Sequence, residues 1–211
     1  MGRRRDIDGH QLLLDAALRL FATQGVEGVS IRAVNREAGL GPASVHYHFG
    51  TKEALLDAVL SVHGDSVEEW LKGRAQTIAR GEGPTTPRDL VLMLAQPFLD
   101  VMAGEGRSGH DWVRLVSQQL RTHPGRVLNR SFTKFVKVSA ARVFPAADAN
   151  DVARAMRMCF TLLLTQLAET SRPGRASAAS LDLDILLDFL SGGLEATLGS
   201  SSRGGTSQQS A

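Results

Sequence analysis

The sequence predicts an all-α protein. No stretch alternates apolar and polar residues with the period of a strand. Apolar residues instead recur at three- and four-residue spacings along most of the chain, and Gly, Pro, Ser and Thr fall where those stripes break. The expected layout is a small N-terminal three-helix unit followed by a larger helical domain. With 211 residues and 43% hydrophobic content, both have enough apolar material for a core.

Taken in order, Leu13, Ala16, Ala17, Leu20 and Phe21 form one apolar stripe that ends at Gly25. Ser30 is placed to cap a short helix running to Ala38, with Ile31 and Val34 inward and Gly39 closing it. A third helix is expected from Pro42 to His48, since proline suits the first helical position. Thr51 caps a fourth, carrying Leu55, Leu56, Val59, Leu60, Val67, Trp70 and Leu71, with a bend or break at Gly64-Asp65. Gly81 to Pro87 reads as a linker. Helices follow at 87–103 and, past Gly104–Gly109, at 110–122. Another opens at Pro124 with Leu128, Phe132, Phe135 and Val136 on one side, and ends at Pro145. The last two, 148–171 and 181–198, are apolar on two faces, so each needs a second partner beyond its own core. The Ser-, Gly- and Gln-rich tail, 199–211, is expected to be disordered.

Composition narrows the function classes. Charged residues make up 22% of the chain, and no apolar run approaches the roughly 18–20 residues of a membrane span. The basic start is followed by Asp6 and Asp8, not by an apolar signal core, so the reading is a soluble, cytoplasmic protein. Cys159 is the one cysteine, which excludes an intrachain disulfide and a thiolate zinc cluster; in its apolar run it reads as a core residue. The net charge of +2 is compatible with nucleic-acid binding without arguing for it. Arg3, Arg4 and Arg5 form a basic arm ahead of the first helix, within residues 1–8.

The informative stretch is Gly39 to Leu56, "GLGPASVHYHFGTKEALL". At about 100° per residue, Pro42, Val45 and Phe49 cluster on one side of the short helix. Ala43, Ser44 and Tyr47 face the other way, flanked by His46 and His48. The outward face thus offers a small residue, a hydroxyl, a phenol and two imidazoles, and no long flexible charge. Such a face suits close approach to base edges and hydrogen bonding to phosphates. Lys52 opens the next helix, where the macrodipole disfavours a cation and a nearby phosphate would account for it. The second helix, a short turn and this third helix together make a helix-turn-helix. From the residues alone, mere decoration of a surface stays open. A metal site does not: His46 and His48, two apart, project roughly 200° apart and cannot chelate one ion.

The segment from Gly9 to Leu56 resembles the DNA-binding domain of the TetR family of bacterial transcriptional regulators. The likeness is carried by "LLDAALRLFATQGVEGVSIRAVNREAGL" and by Ala43 to Glu53, which follow the family's recognition-helix signature. His46 stands where an aromatic, usually tyrosine, is common, and Gly41 where Ser often caps the helix. The resemblance implies a homodimer that binds double-stranded DNA at an inverted repeat. Its head would be residues 1–52, contacting DNA through Arg3, Arg4, Arg5, Ser30, Arg32, Ala43, Ser44, His46, Tyr47, His48, Thr51 and Lys52. Residues 53–198 would bind an effector and dimerise, the last two helices of each chain forming an intermolecular four-helix bundle.

Candidate effector-pocket residues are Met93, Phe98, Met102, Trp112, Phe132, Phe135, Met156 and Phe160, a lining that favours a bulky, mostly apolar small molecule. Candidate dimer residues are Met158, Leu162, Gln166, Leu187, Leu190 and Leu194, with Ile185 and Phe189 on a neighbouring face; Gly192-Gly193 would permit close backbone approach. No cofactor or metal is expected. An enzyme built on His110, Asp111 and Cys159 lacks any nucleophile elbow, phosphate loop or metal spacing. A DNA-binding regulator without a small-molecule effector stays open as the alternative.

Overall fold

The computed structural model describes residues 2–170 and 183–199, and among them every regular element is a helix. They are α1 (Gly2–Gln24), α2 (Ile31–Glu37), α3 (Ser44–Phe49), α4 (Lys52–Ala79), α5 (Pro87–Thr122), α6 (Pro124–Val127), α7 (Arg130–Val143), α8 (Ala149–Thr170) and α9 (Leu183–Leu198). None of the described helices is long and apolar enough to cross a membrane. The expected tail at 199–211 falls, from residue 200 on, outside the described residues.

Local chemistry explains the boundaries. Ser30, Thr51, Thr86 and Asn129 each accept a backbone N–H from the first turn of the helix they precede. At α5 the cap is reciprocal, since Asp89 also accepts from the Thr86 backbone N–H (3.0 Å). Packing then builds two bodies on one scaffold. Leu13, Ala16, Ala17 and Phe21 of α1 are sealed against Val34 of α2, Val45 of α3 and Leu55 of α4. Beyond them α5 runs through the middle of the larger body, packing on α1, α4, α8 and α9.

Four expectations change. α4 is unbroken through Gly64-Asp65, because Trp112 braces that turn: its indole N–H donates to the Leu60 carbonyl (2.9 Å). The two helices expected at 87–103 and 110–122 are one element with a kink. Only Gly106 leaves helical geometry (φ 54°, ψ −128°), a conformation that a residue with a Cβ rarely adopts. The helix expected from Pro124 is split into α6 and α7, Asn129 capping the second. Finally, the basic arm is not ahead of the first helix: α1 begins at Gly2, so the backbone of Arg3, Arg4 and Arg5 belongs to it.

Candidate functional site

The second and third helices meet at a turn that one side chain holds together. Asn35 of α2 is 2% exposed. Its Nδ2 donates to the Pro42 carbonyl (2.7 Å) and its Oδ1 accepts the Val45 backbone N–H (3.0 Å). The first-turn N–H groups of a helix lack intrahelical partners. Here the amide of Asn35 supplies one, because Ala43, at the cap position, makes no side-chain cap bond. Pro42, expected on the buried side of α3, is exposed and lies in the turn before Ser44, and Gly41 lies further out still. The reason is that the Asn35 clamp fixes the start of α3 two residues later than proline alone would.

With Val45 sealed in the core and Phe49 packed on the His10 ring (4.6 Å between centroids), the opposite face of α3 turns outward. Tyr47 is 74% exposed, with Ala43 and His46 exposed beside it and Ser44 half-buried. Ser30 and Arg32, at the start of α2, are also exposed, and so is Thr51, which caps α4 with Lys52 half-buried behind it. The outward set is therefore Ser30, Arg32, Ala43, His46, Tyr47 and Thr51, with Ser44 and Lys52 at its base. The side chains of Arg3, Arg4 and Arg5 lie outside the described residues.

The two histidines are more committed than the sequence implies. His46 Nδ1 lies 2.8 Å from the Gly50 carbonyl, an acceptor, so that nitrogen carries the proton. In the neutral ring Nε2 is then an acceptor, and His46 can donate to a phosphate only as the imidazolium. His48 folds back on α1, where its imidazole would lie 3.3 Å from a Cβ placed on Gly9. It meets the Tyr47 ring edge-on at 4.9 Å. Gly9 is buried and lets α3 approach that closely.

A polar contact joins α1 of the head to α5 of the larger body. Gln118 Nε2 donates to the Ala22 carbonyl (2.9 Å). Within α5 itself, buried Asp111 accepts from Arg114 (3.1 Å); burial raises its carboxyl above the ordinary range, and the Arg114 charge pulls it back.

In the larger body a small cleft of about 90 Å³, open to solvent, lies between α4, α5, α8 and the α6–α7 corner. Phe98, Trp112, Phe132 and Phe160 line it, as expected. The other four candidates do not. Phe135 and Met156 are sealed in the core, Met102 packs against its edge, and Met93 borders a separate depression beside Arg74 and Asp89. Pattern reading missed Leu60, Gly64, Val67, Glu68, Leu71, Val116, Arg126, Val127 and Asn129. The α4 members share one helical stripe and could have been read from it; Arg126 and Asn129 gave no signal of their own. Among the described residues, no cluster of His, Cys, Asp and Glu could hold a metal ion.

The dimer candidates need correction. Leu187, Leu190 and Leu194 are 2%, 5% and 3% exposed within a single chain, so a second chain cannot reach them. They face the protomer's own core, against α5 and α8. The apolar side chains that α9 exposes are Ile185 and Phe189, at 67% and 69%. Gly192 and Gly193 continue that stripe with nothing packed over them. On α8, Met158 is 73% exposed, with Leu162 and Gln166 half-buried along the same flank. Cys159 faces inward, and burial pushes its thiol up to about 12.

The family model for bacterial regulatory proteins of the tetR family matches residues 13–59. The HTH-type transcriptional regulator BetI of Rhizobium meliloti (strain 1021) is 30% identical over 146 residues, which cover 67% of this chain and 68% of BetI. The fold resembles a solved transcriptional regulator from Pseudomonas aeruginosa PAO1 (TM-score 0.57, 21% identity, 92% of each chain). It also resembles the multidrug binding protein EbrR solved with imidazole (TM-score 0.50, 19% identity, 87% of this chain and 93% of EbrR). A helix-turn-helix head with that family's signature, on a helical body of the same fold, places this chain among transcriptional regulators rather than enzymes: it belongs to the TetR family.

Proposed function

We propose that the protein is a cytoplasmic, homodimeric repressor that binds an inverted-repeat operator and leaves it when a small, largely apolar effector enters the cleft. The observation that carries this reading is the outward face of α3. Tyr47 projects from a helix whose other side is sealed by Val45 and whose start is clamped by Asn35. A rigid helix with small residues at its base can enter the major groove, while Tyr47, Thr51 and Lys52 contact the flanking backbone.

The exposed stripe of Ile185, Phe189, Gly192 and Gly193, beside Met158, supports a two-fold interface in which α8 and α9 pair with their copies. That symmetry would present two α3 helices to operator half-sites about one turn of DNA apart, roughly 34–36 Å. The effector reading draws support from the aromatic lining of the cleft, Phe98, Trp112, Phe132 and Phe160, and not from its size: at about 90 Å³ it is smaller than the roughly 300–1,000 Å³ of ligand pockets, so an effector would have to widen it, and the effector-free alternative stays open. EbrR, similar in fold, is named for binding many drugs. Coupling runs through α4, whose Leu60 and Val67 line the cleft and whose first residue is Lys52. It is reciprocal: an effector that weakens operator binding must itself bind the operator-bound dimer more weakly by the same factor.

Selection of binding sites from random duplex DNA tests the proposal. The expected product is an inverted repeat protected in two patches about one helical turn apart. Recovery of a single asymmetric site, or of no sequence preference, contradicts it.

A further inference from the structure

We infer that His46 sets base specificity at one operator position, accepting a hydrogen bond from the exocyclic amine of an adenine or a cytosine; this rests on the operator-binding reading above. The imidazole is held by a reciprocal pair of bonds. The Gly50 backbone N–H donates to the His46 carbonyl (3.0 Å), and His46 Nδ1 donates in return to the Gly50 carbonyl (2.8 Å). A carbonyl oxygen only accepts, so Nδ1 carries the proton and the neutral ring keeps its lone pair on Nε2. The same bond opposes the ring flip that would exchange the two nitrogens. Among the described residues nothing else pairs with this ring. His48, by contrast, packs edge-on against His10 (6.0 Å) and Tyr47 (4.9 Å). His46 is exposed, and Ala43, one turn back on the same flank, is too short to cover it. With Val45 sealed in the core and the start of α3 clamped by Asn35, Nε2 is a fixed, outward acceptor.

A fixed acceptor finds few partners on a duplex. Phosphate oxygens are acceptors themselves, so the neutral ring gains nothing from the backbone. In the major groove the donors are the amines of the bases, adenine N6 and cytosine N4, whereas guanine O6 and thymine O4 are acceptors. An acceptor that cannot become a donor therefore sorts bases by class, amine from carbonyl, and does not tell adenine from cytosine. Against O6 or O4 it brings two lone pairs together and leaves both unpaired, which costs more than a missing bond alone. The hydroxyls of Ser44 and Tyr47 on the same helix can each donate or accept, so neither makes this distinction. His46 does.

Selection from random duplexes with the full-length protein at pH 8, where imidazole is largely neutral, tests the inference. One position of each half-site should admit adenine and cytosine and reject guanine and thymine by about tenfold. Two analogues isolate the amine: purine in place of that adenine, and 2-pyrimidinone in place of that cytosine. Each should weaken the wild type by about tenfold in an anisotropy titration. His46→Phe should level the four bases at that position and lose the response to both analogues. His46→Arg, which only donates, should reverse the preference toward guanine. Should either variant fail to fold, the analogues on the wild type carry the test. Rejection of adenine and cytosine at that position, analogues bound as tightly as the natural bases, or a base profile unchanged in His46→Phe overturns the inference and leaves the operator-binding reading intact. Selection of no preferred sequence by the wild type overturns that reading and the inference with it.

Discussion

Asn35 Oδ1 accepts the backbone N–H of Val45 at 3.0 Å, so a buried side chain of α2 serves as the cap of α3. The same amide donates to the Pro42 carbonyl and so holds both ends of the turn that aims Tyr47. Asn35→Ala leaves a donor and an acceptor unpaired next to the core and should cost about 1–3 kcal/mol in urea denaturation. Operator affinity should fall as well, at protein concentrations where the variant is still folded, because α3 loses its fixed start. A variant with wild-type stability and wild-type affinity would show that the clamp is idle.

Phe189 and Met158 mark the surface where a second chain is expected. Phe189→Glu combined with Met158→Glu should convert dimer to monomer in sedimentation while the helical signal is kept, because both side chains are largely exposed in the protomer. Leu187→Glu should behave differently. Its side chain is 2% exposed, and a buried unpaired carboxylate unfolds the protomer rather than separating a pair. An intact dimer in the double variant moves the interface elsewhere.

His63 of α4 packs edge-on against the Trp112 ring at 5.6 Å. Burial lowers its pKa, and the nearby Glu105 charge only partly offsets this. The folded chain therefore binds this proton less readily than the unfolded chain. The contribution of neutral His63 is fully present above the unfolded value of about 6.5 and is lost as pH falls from there toward the lowered folded value. Melting temperature should drop between pH 7.5 and 5.5, and His63→Gln should flatten that drop relative to the wild type. Identical slopes contradict the assignment.

The thiol of Cys159, pushed up to about 12 by burial, should be inert to a disulfide reagent at pH 8, reacting on the order of 100-fold slower than an exposed thiol. Urea should restore the ordinary rate at the unfolding midpoint. Immediate labelling of the native protein would place the residue at the surface.

Local periodicity and caps were readable where neighbours a turn apart decide the outcome. Val45 inward and Tyr47 outward follow from helical geometry, and Ser30 and Thr51 announce the helices they cap. What escaped depends on contacts distant in sequence. The cap of α3 comes from ten residues upstream. Gly64 reads as a breaker until Trp112 is bonded to the carbonyl of Leu60 across the interface. On α9 two apolar faces were visible, but which of them meets the core depends on where α5 and α8 lie. That is why Leu187 is inside and Phe189 outside. The polar rim of the cleft was invisible for the same reason, since Glu68 and Asn129 are 61 residues apart.

The central claim is that the outward face of α3 and the start of α4 contact operator DNA. A titration of wild type, Tyr47→Ala and Lys52→Ala against the selected operator, at several salt concentrations, tests it most directly. Each substitution should weaken binding by about tenfold without altering stability. Lys52→Ala should also lower the slope of log affinity against log salt by about one. Unchanged affinity and slope in both variants would contradict the account.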